Sequence, residues 1–152
     1  MKVVQGDLIK LALEGDFDVI IHGCNCFCAM GAGIAKTIKA EFPEAYQADL
    51  NTTKGDRNKL GSFSSATVIR GQHQITIVNA YSQFHWQGKG NKADYQAIKS
   101  VFAQIQQAFS GKRIAYPLIG AGLAGGDWTI ISQIIDSALK DENHTLVQFV
   151  PQ

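Results

Sequence analysis

Two glycine-rich segments are the parts of this sequence best suited to hold an anion. Residues 30–34 and 120–125 each stand between a predicted strand and a predicted helix. Glycine lets backbone N–H groups turn towards a phosphate without a Cβ in the way, and the helix that follows adds the positive end of its dipole. Either segment alone is also typical of an ordinary turn. Together, at the carboxyl ends of strands in one sheet, they predict a clamp on a diphosphate.

The second segment also fits the spacing of a dinucleotide-binding loop. Gly120, Gly122 and Gly125 formally match G-x-G-x-x-G. That motif needs a following strand that ends in an acid to grip a ribose, and the strand predicted at 145–150 has none. The match is therefore interpreted as accidental. No Walker A sequence is present either.

Two titratable residues near these segments are candidates for proton transfer. His22 has a side chain that titrates near neutral pH, so it could activate water or protonate a leaving oxygen. Asp127 follows the second glycine segment and could orient His22 or accept a proton if the loops converge. The alternatives are a hydrogen-bonded structural histidine near a strand end, and an aspartate that caps the helix beginning at Trp128.

The alternating residues His22, Cys24, Cys26 and Cys28 contain atoms that suit zinc. Alternate residues of an extended strand lie about 6.6 Å apart, which is too far for one tetrahedral ion. No metal and no cofactor are predicted. Cys24 is expected in the core, and the other two cysteines near the cleft. Pairing cysteines so close in sequence would strain the rings, so we expect reduced thiols in a cytoplasmic protein.

Length and composition limit the classes of function. The 152 residues, 45% of them hydrophobic, predict one domain over residues 1–152 with a substantial core. The formal charge of +1 argues against long nucleic acid as the main ligand. No segment approaches the roughly 18 apolar residues of a membrane helix, so no membrane partner is expected.

Hydrophobic periodicity and turn residues predict alternating strands and helices. Strands are expected at 3–4, 18–24, 66–70, 74–79, 114–119 and 145–150. Helices are expected at 8–13, from residue 34 with a new turn or kink at Pro43, and at 93–109 and 128–140; residues 51–65 are predicted to be a loop. The pattern predicts an α/β fold, namely a three-layer α/β/α sandwich with a mixed, mostly parallel sheet of about six strands.

Three segments in this order carry a family resemblance: residues 5–8 (QGDL), 22–35 (HGCNCFCAMGAGIA) and 117–128 (PLIGAGLAGGDW). They resemble the macro domain, a family of ADP-ribose-binding α/β/α modules, and the likeness covers essentially the whole chain. Within the family the sequence is most similar to ADP-ribose 1''-phosphate phosphatases and their relatives among the ADP-ribosyl-glutamate hydrolases. The expected partner is ADP-ribose or ADP-ribose 1''-phosphate, with ADP-ribosylated macromolecules as a further class.

The resemblance also implies roles for particular residues. Asp7, with Leu8 beside it, would read the adenine amino group, although Asp7 also suits the N-cap of helix 8–13. Asn25 would touch the distal ribose, and three residues would line the far end of the cleft or stay ordinary loop residues: Tyr81, Ser82 and Gln83. The first phosphate loop would contain Met30, Gly31, Ala32, Gly33 and Ile34. The second would contain Ile119, Gly120, Ala121, Gly122, Leu123, Ala124 and Gly125.

The resemblance includes His22, the candidate catalytic base, because the phosphatase branch also has histidine at this position. Two other branches fit less well. The acid of the Asn-plus-Asp hydrolases would fall at Ala35, and the lysine and aspartate of the glutamate-specific branch near Ala80 or Tyr81 and near Ala124. The leading hypothesis is therefore a phosphatase acting on ADP-ribose 1''-phosphate with His22 and Asp127 as catalytic residues. The alternatives are a non-catalytic ADP-ribose reader and an ADP-ribosyl hydrolase acting on modified macromolecules.

Overall fold

The computed structural model describes residues 1–150. Six strands form one sheet: β1 (Lys2–Gln5), β2 (Val19–Cys24), β3 (Phe63–Arg70), β4 (His73–Tyr81), β5 (Ile114–Tyr116) and β6 (His144–Gln148). Five α-helices connect them: α1 (Leu8–Leu13), α2 (Gly33–Glu41), α3 (Pro43–Leu50), α4 (Tyr95–Phe109) and α5 (Trp128–Ala138). A 3-10 turn lies at Arg57–Lys59.

The sheet is mixed and mostly parallel, as predicted. Its order is β1-β6-β5-β2-β4-β3, and only the edge pair β3–β4 is antiparallel. Strand β2 lies between β5 and β4, which explains its uninterrupted apolar run, because a central strand is covered on both faces. The carboxyl ends of all five parallel strands consequently meet at one edge of the sheet.

Alternate residues of the central strands face two separate cores. Val19 and Ile21 of β2 pack with helices α4 and α5 on one face. Ile20 packs on the opposite face with α1, α2 and α3. Two faces covered by helices make the three-layer α/β/α sandwich that the sequence predicts.

Several element bounds differ from the sequence prediction. Strand β5 ends at Tyr116 rather than at residue 119, since Pro117 has no N–H for a ladder and Ile119 N–H donates to the Pro117 carbonyl in a tight turn. Strand β3 begins at Phe63, inside the predicted loop 51–65, because it pairs with a β4 that continues to Tyr81. Pro43 starts a new helix, α3, as its missing N–H allows.

The longest helix, α4, has 15 residues. Within residues 1–150, no helix combines the length and the apolar character that crossing a membrane requires.

Candidate functional site

A continuous cleft runs along the carboxyl edge of the sheet. It consists of three adjoining hollows, of about 350, 540 and 430 Å³. We call them the Asp7, middle and distal hollows. Neighbouring hollows share lining residues: Gly33 and Ile34 join the first to the second, and Gly23 and Gln83 join the second to the third. Each hollow is large enough for part of an extended ligand.

The two glycine segments border this cleft from opposite sides. Ala32, Gly33 and Ile34 line the middle hollow together with Gly120, Gly122 and Leu123. A Cβ placed on Gly33 would lie 3.3 Å from Leu123 Cδ1, so the two loops approach each other closely across the hollow. The arrangement predicted for a clamp, two glycine loops on one cleft, is the arrangement that the structure has.

The amino terminus of helix α2 opens towards the middle hollow. Ala32 is its N-cap and makes no side-chain capping hydrogen bond. The first amides of a helix lack partners within the helix, so an uncapped end presents N–H groups and a positive dipole to whatever occupies the hollow. This end of α2 is suited to a phosphate group.

The second loop is held in shape by its own backbone. Gly120 has a φ of +73°, and a Cβ there would lie 3.1 Å from Ile131 Cδ1, so glycine is required on both counts. The N–H of Gly126 donates to the Gly120 carbonyl at 2.7 Å and closes the loop. Leu123 is 73% exposed at its tip, facing the first loop. The segment is a preformed wall of the middle hollow.

Asp7 lines the first hollow and caps helix α1. Its Oδ1 accepts from Ile9 N–H at 3.0 Å and from Lys10 N–H at 3.1 Å. Its other oxygen makes no hydrogen bond within residues 1–150, and Leu8 and Ile9 form an apolar floor beside it. The geometry therefore permits both predicted roles, one for each carboxylate oxygen.

Asn25 lines the distal hollow and organises the segment that borders it. Its Oδ1 accepts from Phe27 N–H at 2.9 Å, and its Nδ2 donates to the Ala29 carbonyl at 2.9 Å. The side chain is 7% exposed, and its amide nitrogen carries a second hydrogen. Asn25 therefore holds the backbone of residues 27–29 in place, and one N–H of its amide stays available to a ligand.

Two residues of the loop after β4 complete the distal hollow. Trp86 is 47% exposed, and its ring stacks on His85 at 5.5 Å between centroids. Lys92 is the one charged side chain among the described residues that line this hollow, and its Nζ donates to the Gly90 carbonyl at 3.4 Å. Neither residue was among the predicted site residues, because side chains on the thirteen-residue loop between β4 and α4 have no periodic pattern that reveals their direction.

His22 is placed in the core, not in the cleft. It is fully buried, and its Nε2 donates to Asn79 Oδ1 at 2.7 Å. Burial lowers the pKa of its imidazole from 6.5 to about 4, so the ring is neutral near pH 7. Side chains of β2 alternate between the two faces of the sheet, which directs His22 towards α3 instead of the strand ends. The expectation of a catalytic base at this position is corrected accordingly.

Asp127 acts as a helix cap. Its carboxylate accepts from Thr129 N–H at 2.9 Å at the start of α5, and the side chain is exposed. It makes no hydrogen bond to His22 and lines none of the three hollows in the described part of the chain. The alternative reading of Asp127, a cap, is the one that the structure supports.

Other predicted site residues also lie outside the cleft lining. Met30 and Tyr81 are buried in a small core together with Cys24 and Cys26. Ala121 packs against the α4–α5 core, and Gly125 faces the Gly90 carbonyl. Among the three residues expected at the far end, Gln83 alone lines the hollows, because β4 continues through Tyr81 and carries its side chain inwards.

Cys24 is buried in this small core, as expected, but Cys26 and Cys28 do not line the cleft. Cys24 lines the distal hollow, whereas Cys26 is fully buried and the Cys28 thiol donates to the Asp49 carbonyl. Burial raises the pKa of the Cys24 thiol, so it is no thiolate nucleophile near neutral pH. Within residues 1–150, no three His, Cys, Asp or Glu side chains gather in a way that could hold a metal ion.

The fold and this cleft define an α/β/α module with an open site between two glycine loops at its strand ends. The family model described as Macro domain matches residues 21–135, and the chain belongs to the macro domain family. An uncharacterized 17.5 kDa protein from the tk-vs intergenic region of Enterobacteria phage T4 is 34% identical, over 99% of this chain and 97% of that protein.

Two relatives with named activities match the chain over stretches of different length. A DNA ADP-ribosyl glycohydrolase of Mycobacterium tuberculosis is 24% identical over 90% of the chain, which spans 38% of that relative's length. An ADP-ribose 1''-phosphate phosphatase of Aspergillus oryzae is 44% identical over 46 residues, which is 30% of this chain and 21% of that protein. The phosphatase likeness is thus higher but confined to a short stretch.

Solved structures show the same fold. The macrodomain of Mycobacterium tuberculosis DarG superposes with a TM-score of 0.71 at 23% identity, over 99% of this chain and 97% of that one. Thermosipho africanus DarTG in complex with ADP-ribose gives a TM-score of 0.67 at 18% identity, over 99% of this chain and 42% of that one.

Proposed function

We propose that this macro domain binds ADP-ribose along the cleft. The diphosphate would lie in the middle hollow between the uncapped start of α2 and the Gly120 loop, with adenine beside Asp7 and the distal ribose beside Asn25. The observation that carries the proposal is that both glycine loops line one hollow and approach each other closely at Gly33 and Leu123. Backbone N–H groups and a helix dipole favour the two negative charges of a diphosphate.

Calorimetry with ADP-ribose tests this binding directly. We expect a dissociation constant well below 1 mM and much weaker binding of an analogue with guanine in place of adenine. Guanine presents a carbonyl where adenine presents an amine, and the Asp7 carboxylate repels it. Affinity near or above about 1 mM, or equal affinity for the two bases, would contradict the proposal.

We further propose that the domain removes the 1''-phosphate from ADP-ribose 1''-phosphate. A water oxygen attacks phosphorus, the bond from phosphorus to the ribose oxygen breaks, and a proton of the water passes to that ribose oxygen, so that ADP-ribose and inorganic phosphate are released. Phosphoryl transfer of this kind depends mainly on positioning and charge stabilisation rather than on a strong base. Lys92 and the loop amides supply positive charge where the distal phosphate would sit.

A second candidate activity is hydrolysis of ADP-ribose from a modified macromolecule. It is favoured by Trp86, which stands half-exposed at the mouth of the distal hollow, where an aromatic base attached to the ribose would stack. The DNA ADP-ribosyl glycohydrolases among the relatives also support this candidate. The loop 84–92 contains lysines at 89 and 92 and no acid, which suits an anionic strand.

Parallel assays separate these activities from binding alone. Phosphate release from ADP-ribose 1''-phosphate and release of ADP-ribose from modified single-stranded DNA are measured with the wild type, Lys92→Met and Asp127→Asn. The phosphatase proposal predicts phosphate release by the wild type and Asp127→Asn, and a loss of at least tenfold in Lys92→Met. Release from DNA alone favours the second candidate, and a wild type inactive in both assays is a binding module.

A further inference from the structure

Two of the described residues that line the distal hollow, Asn25 and Gln83, have a side-chain oxygen, and they differ in how that oxygen is used. Asn25 Oδ1 already accepts hydrogen bonds from the N–H groups of Phe27 and Ala29, at 2.9 and 3.3 Å. Gln83 Oε1 accepts no hydrogen bond from any group within residues 1–150. Gln83 therefore carries the unused side-chain oxygen of this part of the cleft.

The Gln83 amide is held in one orientation. Its Nε2 donates to the His85 carbonyl at 3.0 Å, which leaves Oε1 as the free end of the amide. The backbone of Gln83 is tied to the end of β2, because its N–H donates to the Cys24 carbonyl at 3.4 Å and its carbonyl accepts from the Cys26 thiol at 3.6 Å. A side chain anchored in this way keeps its oxygen at a defined place.

Solvent reaches this free oxygen. Among the side chains of residues 1–150 that are not exposed, Ser82 Oγ is the one oxygen or nitrogen atom that lacks both a hydrogen-bond partner and access to solvent, so Gln83 Oε1 is accessible. Gln83 lines the middle and the distal hollow, and its oxygen therefore opens into the cleft where the two meet. An accessible amide oxygen without a protein partner accepts a hydrogen bond from water.

The distal hollow offers water no strong base. No aspartate, glutamate or histidine is among the described residues that line it. What the site can still give an attacking water is orientation. Phosphoryl transfer through a loose transition state needs little proton abstraction, and glutamine suits this task because its amide oxygen accepts a hydrogen bond without taking up the proton. Lys92 lines the same hollow and supplies positive charge.

We infer that Gln83 Oε1 holds and orients the water that attacks the 1''-phosphate, which makes Gln83 a catalytic residue. The inference rests on the proposed removal of that phosphate. One O–H of the water donates to Gln83 Oε1, so that an oxygen lone pair points at phosphorus. The water oxygen bonds to phosphorus as the bond from phosphorus to the ribose oxygen breaks. One water proton passes to the ribose oxygen, and the proton that faced Gln83 leaves with the inorganic phosphate.

Replacing Gln83 with methionine should slow the reaction without weakening ligand binding. Gln83→Met removes the oxygen, so kcat for phosphate release from ADP-ribose 1''-phosphate should fall about tenfold or more, as expected when the attacking group loses its orientation. KM and the dissociation constant of ADP-ribose should change by less than about twofold. The matched control is Gln87→Met, at an exposed residue of the same loop outside the described hollow linings, which should behave like the wild type.

Two charged variants separate the free oxygen from the anchoring nitrogen. Gln83→Glu has an acceptor but no donor for the His85 carbonyl, so it should retain most of the wild-type kcat while KM rises, because a carboxylate repels the phosphate. Gln83→Lys has a donor for that carbonyl but no acceptor, so its kcat should fall as far as in Gln83→Met. The reverse order, a slow Gln83→Glu and a fast Gln83→Lys, would show that Gln83 anchors the loop and would contradict the inference.

The steady-state constants of Gln83→Met distinguish the other outcomes. A raised KM with unchanged kcat would assign Gln83 to phosphate binding and overturn the inference. Equal constants for Gln83→Met and the wild type would also overturn it and would leave the proposed phosphatase activity in place. A wild type that binds ADP-ribose but releases no phosphate contradicts that activity, and the role of Gln83 falls with it.

Discussion

His22 Nε2 lies 2.7 Å from Asn79 Oδ1, deep between β2 and β4. The Asn79 amide is fixed in this orientation, since its Nδ2 donates to the Ala45 carbonyl at 2.9 Å and to Ser64 Oγ at 3.0 Å. The imidazole must therefore donate through Nε2. A histidine that resembles a catalytic base in sequence is here a neutral member of the buried hydrogen-bond network behind the cleft.

Replacing His22 with glutamine should reduce the acid sensitivity of folding. The pKa of His22 is about 4 when folded and 6.5 when unfolded, so between these values only the unfolded chain takes up the proton. The contribution of the neutral His22 side chain to the free energy of unfolding is therefore fully present above pH 6.5. It is lost as the pH falls towards 4, by about 3 kcal/mol in total. Urea denaturation at pH 7.0 and 4.5 should show a smaller loss in His22→Gln, and parallel losses in the two proteins would contradict this assignment.

Removing the Tyr81 hydroxyl should destabilise the fold without changing the affinity for ADP-ribose. The hydroxyl donates to Asp49 Oδ1 at 2.7 Å, and both side chains are buried. Tyr81→Phe leaves that carboxylate without its donor, which costs roughly 1–3 kcal/mol of unfolding free energy. Tyr46→Phe is the control, because Tyr46 contributes its ring, packed under Lys39, rather than its hydroxyl. A changed affinity of Tyr81→Phe for ADP-ribose would instead show that the Tyr81 hydroxyl contributes to ligand binding.

Substitutions at Asp7 should separate its two roles. Asparagine is as good an N-cap as aspartate, so Asp7→Asn should keep the stability of the wild type, whereas Asp7→Ala should lose about 1 kcal/mol. Only Asp7→Asn can present an amide N–H to the base, and it should weaken the preference for adenine over guanine by about tenfold or more. Unfolding curves measure the stability, and calorimetry with the adenine and guanine ligands measures the base preference. An unchanged base preference in Asp7→Asn would mean that Asp7 caps α1 and does not contact the base.

The charge of Lys92 should matter most for a ligand with a distal phosphate. Lys92→Met should lower the affinity for ADP-ribose 1''-phosphate about tenfold and leave that for ADP-ribose nearly unchanged, because only the former places an anion in the distal hollow. Lys89→Met is a matched control, as Lys89 belongs to the same loop but does not line the hollow. Equal effects of the two variants would indicate that the positive charge of the loop attracts the ligand at long range, without a local contact to Lys92.

The fold was predictable because its signals are periodic and local. The apolar run of β2, the 3.6-residue pattern of α4 and the glycine turns each depend on neighbouring residues alone. The positions of the glycine loops followed from the same logic, since parallel strands end at one edge. The end of β5 was predicted three residues too late, because strand length depends on Pro117 and the turn after it.

Side-chain direction within the site was less predictable. His22 and Tyr81 lie on strands whose face depends on register, and β4 runs two residues further than its pattern indicated. Trp86 and Lys92 lie on a loop whose path is determined by contacts with distant residues, such as the hydrogen bond from Lys92 N–H to the Ala124 carbonyl.

A titration of ¹⁵N-labelled protein with ADP-ribose, followed by amide NMR, tests the clamp between the two loops most directly. The account predicts that the amides of Gly33, Ile34 and Ala35 at the start of α2 and those of Gly120, Gly122 and Leu123 shift together, with one shared dissociation constant. Shifts confined to one of the two loops, or different constants for the two, would contradict a single diphosphate held between them.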